Sequence, residues 1–229
     1  MPQRKILSVG GSIIIPKTGF DIDFLKKFRT VILNEVKKGQ QFILVIGGGA
    51  TCRQYQDAAK QVVKMSDEEL DWLGIHTTIF NANFVRFLFK DVAYETVITN
   101  PHKKISTRKP VILAAGHKPG ASTDIDAVFM AHTYGAKELL NLSNIEYVYD
   151  KDPRAYSDAK KIESLDWATF RKEIVGNTWT PGASAPFDPI ASRHAQKYGL
   201  KVSILQGTNL EQVKKAIQGK KFTGTMLHP

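Results

Sequence analysis

The chain has 229 residues, 42% hydrophobic and 24% charged, with scattered glycines and prolines; this composition suits one globular α/β domain with a full core and excludes a disordered or low-complexity chain. A single cysteine, Cys52, excludes an intramolecular disulfide framework, and the six histidines make no Cys/His spacing of the zinc kind. The net charge of +10 would suit a nucleic-acid binder, but lysine pairs such as Lys26-Lys27 and Lys220-Lys221 are dispersed and lack interleaved aromatics, so no nucleic-acid partner is expected.

In chain order, Lys5 to Val9 reads as a buried strand that stops at Gly10-Gly11-Ser12, far short of a membrane span of roughly 20 residues or a secretory leader. No targeting segment is expected, and the lone cysteine points to a reducing, cytoplasmic compartment. Phe24, Leu25, Phe28, Val31, Ile32 and Val36 mark one face of a helix. Phe42 to Ile46 is a second strand, running into Gly47-Gly48-Gly49 and then a helical stretch through Tyr55 and Val62. Ser66 and Glu69 have the form of a capping box, predicting a helix that carries Leu70, Leu73, Phe80, Phe84, Phe87 and Leu88, with a break near Gly74. Val97-Ile98 precedes a strand from Val111 to Ala115, which opens into Gly116-His117-Lys118-Pro119-Gly120. Thr123-Asp124 starts a further helix by its capping chemistry. A strand from Glu138 to Leu142, a turn at Asn144 and a short strand Tyr147 to Tyr149 follow. Helices are predicted from Leu165 to Ile174 and from Pro189 to Lys197, then a strand from Lys201 to Leu205, a helix from Leu210 to Ile217 and an edge strand within Phe222 to Leu227.

Alternation of strands with helices predicts a three-layer α/β sandwich with a largely parallel central sheet. Three of the strands spill into glycine-rich turns ahead of a helix, a place where free backbone N–H groups and the positive helix end favour phosphate. In a parallel sheet such turns share the carboxyl edge and are able to grip one polyphosphate together. Neither G-x-G-x-x-G nor G-x-x-x-x-G-K-[ST] occurs, which disfavours a dinucleotide-binding dehydrogenase or a Walker-type ATPase.

Val9-Gly10-Gly11-Ser12, Ile46-Gly47-Gly48-Gly49 with Arg53, Asp71 ahead of Leu73-Gly74-Ile75, Asn81-Ala82, Pro119-Gly120 with Ser122-Thr123-Asp124, Val148 to Pro153, Phe187-Asp188-Pro189 and Gly224-Thr225 occur in this order from end to end. The ordered set resembles the amino-acid-kinase family, and within it the archaeal-type UMP kinases. The resemblance implies a carbamate-kinase-like αβα domain over residues 1–229, with an acceptor-binding lobe over about 1–135 and an ATP-binding lobe over about 136–229. It implies transfer of the ATP γ-phosphoryl group to UMP with Mg²⁺, and a homo-oligomer, hexameric in many relatives. The apolar helix face from Phe80 to Phe89 is a candidate contact.

Residue by residue, the resemblance implies that Gly11, Ser12, Gly49 and Arg53 touch ATP phosphates, and that Ser143, Asn144, Tyr149 and Asp152 hold its ribose and base. Gly48, Asp71 and the segment His117, Lys118, Pro119, Gly120, Ala121, Ser122 and Thr123 fall on the UMP side. Arg53, Asp188 and Lys118 are the candidate catalytic residues. An arginine in the first turn after three glycines can fork onto phosphate oxygens. Asp188 also reads as an ordinary N-cap before Pro189, and Tyr149 as a core tyrosine rather than a purine platform. An acceptor that is itself a phosphate needs no general base, so positioning and charge neutralisation carry the reaction.

Three positions depart from the family pattern. Ser8 stands where many members carry a lysine, and Lys118 or another basic residue is expected to supply the charge. Asn144-Ile145-Glu146-Tyr147 stands where Asn-Val-Asp-Gly is usual, adding bulk beside the expected adenine pocket. His117 to Ala121 lacks the usual threonine-histidine pair. A kinase with a different phosphorylated or carboxylated acceptor, and a non-catalytic nucleotide- or oxyanion-binding protein, are the alternatives.

Overall fold

Near-continuous apolar runs such as Phe42 to Ile46, buried on both faces, call for helices on both sides of a sheet, and this is how the chain folds. The structure is a computed structural model and describes residues 3–120, 122–178 and 185–229. Strand β1 (Arg4–Val9) leads through a single helical turn, α1 (Gly11–Ile14), to helix α2 (Ile22–Lys37) and strand β2 (Gln41–Ile46). Helices α3 (Gly49–Val62) and α4 (Asp67–Leu88) connect β2 to β3 (Val111–Ala114), and α5 (Thr123–Tyr134) connects β3 to β4 (Glu138–Ser143). The second half holds the small strands β5 (Val148–Tyr149), β6 (Lys161–Ile162) and β7 (Ser164–Asp166), the short helix α6 (Trp167–Thr169), and a π-helical turn over Phe170–Val175. Helix α7 (Pro189–Lys197), strand β8 (Lys201–Gln206), helix α8 (Leu210–Ile217) and strand β9 (Thr225–His228) complete it.

The main sheet has seven strands in the order β3-β2-β1-β4-β8-β9-β7. β1 pairs in parallel with both β2 and β4, β2 with β3 and β4 with β8, while β9 runs antiparallel to β8. Chain order therefore runs outward on one side of β1 and resumes on its other side at β4, which makes the carboxyl ends of β1 and β4 the switch point where ligands settle in open α/β sheets. Leu7, Val9, Leu44 and Ile46, on one face of the sheet, pack against Phe24, Phe28 and Ile32 of α2, Val85 of α4 and Val213 of α8. Ile6, Ile43, Val45 and Ile204, on the other, pack against Ile125 and Val128 of α5 and Ala191 of α7.

Several sequence expectations are corrected. Helix α4 is continuous through Gly74 rather than broken there; a Cβ at Gly74 would meet Cys52 Sγ at 3.4 Å, an ordinary packing distance. Leu165 lies in a strand, and only the short α6 and the π-helical turn occupy the expected helix from Leu165 to Ile174. β9 is not an edge strand: it is paired on both sides, and β7 forms the edge.

Candidate active site

Backbone hydrogen bonds extend the parallel ladder past the strand ends. The Gly10 amide donates to Leu142 O at 2.9 Å, Gly47 to Val9 O at 3.0 Å and Gly207 to Ser143 O at 2.8 Å. The turns after β1 and β2 are thereby pressed together backbone to backbone. A Cβ at Gly11 would lie 2.1 Å from Gly49 N, and one at Gly49, whose φ is +67°, would lie 2.5 Å from Gly11 C; only glycine allows this approach. Asn81 of α4 clamps the second turn, its Nδ2 donating at 3.0 Å to both Gly47 O and Gly48 O. Neither α1 nor α3 begins with a side-chain cap, so their leading amides face the sheet edge ready for an anion. Gly11, Ser12, Gly48 and Gly49 are brought together here, as the sequence led one to expect.

The third turn, after β3, is wired down by α4 and by the carboxylates. Thr78 Oγ1 donates to Ile75 O and accepts from the Gly116 amide at 2.9 Å. Asp71 Oδ2 accepts from Gly120 N at 2.8 Å, and Asp188 Oδ2 accepts from Ser122 N at 2.7 Å. Asp188 is 3% exposed, and its Oδ1 caps α7 by accepting from the Ile190 and Ala191 amides at 2.6 and 2.9 Å. It is thus both the expected cap and a tie to the turn after β3. The helix after this turn is capped by Ser122, whose hydroxyl accepts from the Asp124 amide, and not by Thr123-Asp124. Ala121 lies outside the described residues.

Between these turns sits a group that sequence reading did not assemble. Asp124 Oδ1 accepts from the Ser8 hydroxyl at 2.9 Å and from Asn141 Nδ2 at 3.0 Å, while the Asp188 amide approaches its Oδ2 at 3.4 Å. Burial, with the nearby Asp188 charge adding to it, pushes the Asp124 carboxyl up to about 6. Ser8 therefore gives Asp124 a neutral partner where a lysine would give a charged one. Ser8 and Asn141 sit on strands at positions that an apolar pattern would fill, and that interruption was the available signal.

On the other side of the switch point, a cavity of about 530 Å³ opens beside β4 and β5 and is lined by Ser143, Asn144, Tyr149 and Asp152, together with Tyr147, Arg154 and Ile174. All four residues expected to hold the ATP ribose and base line this one space. Arg154 grips Asp152 with two side-chain bonds, Nε to Oδ1 at 3.0 Å and NH2 to Oδ2 at 2.9 Å, holding the carboxyl below its ordinary range. Tyr147 is 9% exposed, and Lys161 Nζ lies 4.7 Å from its ring centroid. Arg53 and Lys118 are exposed and enter no ion pair among the described residues; the structure leaves them free rather than joining them to the rest. Among the described residues no cluster of histidine, cysteine and carboxylate side chains is arranged to hold a metal ion.

The amino acid kinase family model matches residues 3–206. A uridylate kinase from Pyrococcus abyssi is 31% identical over 231 aligned residues, covering 99% of this chain and all of the relative; one from Sulfurisphaera tokodaii is 29% identical with the same coverage. The crystal structure of uridylate kinase from Archaeoglobus fulgidus superposes with a TM-score of 0.80 at 25% identity, covering 98% of this chain and 99% of that one. The UMP kinase of Bacillus anthracis shares the fold with a TM-score of 0.77 at 20% identity, over 100% of this chain and 97% of that one. With a family model spanning nearly the whole chain and this sheet order and strand-end architecture, the chain belongs to the amino acid kinase family.

Proposed function

We propose that this chain transfers the γ-phosphoryl group of ATP to UMP, giving UDP and ADP. The observation that carries the reading is the interlocked pair of glycine turns at Gly11 and Gly47 to Gly49, with uncapped helix starts on the same sheet edge. The relatives named as uridylate kinases match over almost their full lengths, which supports the same acceptor. ATP enters on the side of the cavity at Ser143, Asn144, Tyr149 and Asp152, within the lobe over about 136–229. UMP lies toward Gly48, Asp71 and the turn from His117 to Thr123, within the lobe over about 1–135.

Two polyanions meet in this arrangement, so amides of the glycine turns neutralise one and Arg53, free at the start of α3, forks onto phosphate oxygens. Lys118 supplies the charge that Ser8 does not. Asp188 acts as a positioning residue, since its oxygens are committed to amides. No proton need be removed from a phosphate acceptor, so alignment of the two ends is the chain's main contribution. Mg²⁺ does not fit a protein cage here, because Asp124 and Asp188 are taken up by hydroxyl and amide donors; it would accompany ATP on the nucleotide's own phosphates.

The exposed Phe80 and Phe87, 72% and 61% accessible, form the face through which copies of the chain associate. No helix among the described residues is long and apolar enough to cross a membrane, in keeping with a cytoplasmic location.

An ADP-release assay across UMP, CMP, AMP and GMP tests the reading: highest turnover with UMP is the expected result, and preference for another acceptor overturns it. Ser8 and Tyr147 favour one rival, a nucleotide-binding protein without turnover. Binding of ATP and UMP with no ADP release from any acceptor would establish that rival.

A further inference from the structure

Asn81 is a wholly buried asparagine to which the proposed reaction assigns no part. Its Nδ2 donates at 3.0 Å to Gly47 O and at 3.0 Å to Gly48 O, while Oδ1 of the same side chain, on a residue with 0% exposure, has no partner among the described residues. An unpartnered buried carbonyl is a cost that an apolar residue at this place in α4 would not carry. Two hydrogens on one nitrogen are what two adjacent carbonyls require: a serine has one donor and an ionised aspartate none.

We propose that Asn81 is a positioning residue for the nucleotide phosphates: by holding the Gly47 and Gly48 carbonyls from the α4 side, it turns the Gly48 and Gly49 N–H groups outward to the anion. The proposal rests on the UMP kinase reading.

The step from carbonyl to amide is geometric. A trans peptide unit is planar, with its C=O and its N–H pointing in opposite directions. Gly47 O shares a unit with the Gly48 N–H, and Gly48 O with the Gly49 N–H, so drawing both carbonyls toward α4 sets both amides facing away from it. Those two amides are still available: neither makes a backbone hydrogen bond among the described residues, and α3 has no side-chain cap. A serine or aspartate cap would steady the same turn by accepting from the leading amides, which occupies donors that a phosphate needs. Asn81 steadies the turn from the opposite side and leaves both donors to the ligand. Gly48 O also accepts from the Cys52 amide at 3.3 Å, whereas Gly47 O has no partner but Asn81 among the described residues. Without the asparagine, the Gly47–Gly48 peptide is therefore the one free to swing, and a swung peptide presents its carbonyl to an anion.

The test compares the full-length chain with Asn81→Asp, which keeps the shape of the side chain and removes the paired donor. Affinity is measured for ATP by calorimetry and for adenosine from the shift of the Tyr149 ring resonances. Asn81→Asp is expected to lose roughly tenfold or more in ATP affinity, the equivalent of one charged hydrogen bond to phosphate, while adenosine, held in the cavity beside Tyr149, changes by less than about twofold. A merely structural role would weaken both ligands together; that result, or unchanged ATP affinity, overturns the proposal alone. A native chain that fails to bind ATP overturns the kinase reading beneath it. Should Asn81→Asp not fold, ¹H–¹⁵N spectra of the native protein decide. Slow hydrogen exchange at Asn81 Nδ2, with the Gly48 and Gly49 amides moving downfield as inorganic tripolyphosphate is added, supports the proposal; fast exchange at Nδ2, or amides that do not move, overturns it.

Discussion

Replacing Asp188 with alanine removes two kinds of contact at once. The cap on α7 consists of two amide bonds to Oδ1, and loss of such a cap costs about 1 kcal/mol. The tie from Oδ2 to the Ser122 amide leaves a half-buried donor unsatisfied, which costs about 1–3 kcal/mol. Relief acts in the other direction, because the Asp188 charge is one of the causes that raise Asp124. The net expectation is a loss of about 2–3 kcal/mol, or on the order of 5–10 °C in Tm for a chain of this size. Trp167 lies buried next to the substitution, 6.0 Å from Phe187 between ring centroids, so urea titration followed by tryptophan fluorescence is the assay. In kinetics, KM for UMP rises because the turn from His117 to Thr123 has lost an anchor. Asp188→Asn keeps the cap but sets an amide group against the Ser122 N–H, so it loses the smaller part of the stability and the same part of the UMP affinity. A stability loss below about 0.5 kcal/mol with an unchanged KM would refute the assignment of both contacts.

Gly11→Ala forces a methyl to 2.1 Å from Gly49 N; because both sides are backbone, the expected cost exceeds the usual 1–3 kcal/mol of overpacking and ATP binding disappears. Gly74→Ala, inside α4 with its nearest contact at 3.4 Å, instead leaves activity intact and gains up to about 1 kcal/mol of helix propensity, as thermal melting will show. Arg53→Ala touches no ion pair among the described residues, so Tm stays within about 1 °C while kcat/KM falls by about 10- to 150-fold, the equivalent of one charged hydrogen bond to phosphate. Stability also responds to pH through Asp126. Its folded value, about 8, lies above that of an unfolded aspartate, so the folded chain binds the extra proton and stability falls as pH rises toward 8, by at most about 1.4 kcal/mol per pH unit. His102 and His194, both held below their ordinary range by burial, act oppositely below neutrality, and the difference between native and Asp126→Asn melting curves isolates the aspartate.

The strands, the helix faces and the convergence of glycine turns were legible because period-two and period-3.6 apolar patterns report burial directly. Gly74 misled because a glycine within a helix reads as a break, whereas the capping box at Ser66 and the apolar residues on either side carry α4 through it. β7 was hidden by its length, three residues, and by pairing with β9 at the far end of the chain. The donor-side residues were legible through a resemblance in order, and the cavity gathers them. The Ser8, Asn141 and Asp124 group was not, because its members come from three elements and each alone looks like an ordinary polar residue or a cap.

A crystal of the chain grown with UMP and a non-hydrolysable ATP analogue examines the proposed convergence most directly. The account predicts both phosphate chains at the carboxyl edge of β1 and β2, with amides from Gly11 to Ser12 and Gly48 to Gly49 donating to them and the adenosine in the cavity beside Tyr149. Nucleotides bound on separate edges of the sheet, or phosphates out of reach of the glycine turns, would contradict it.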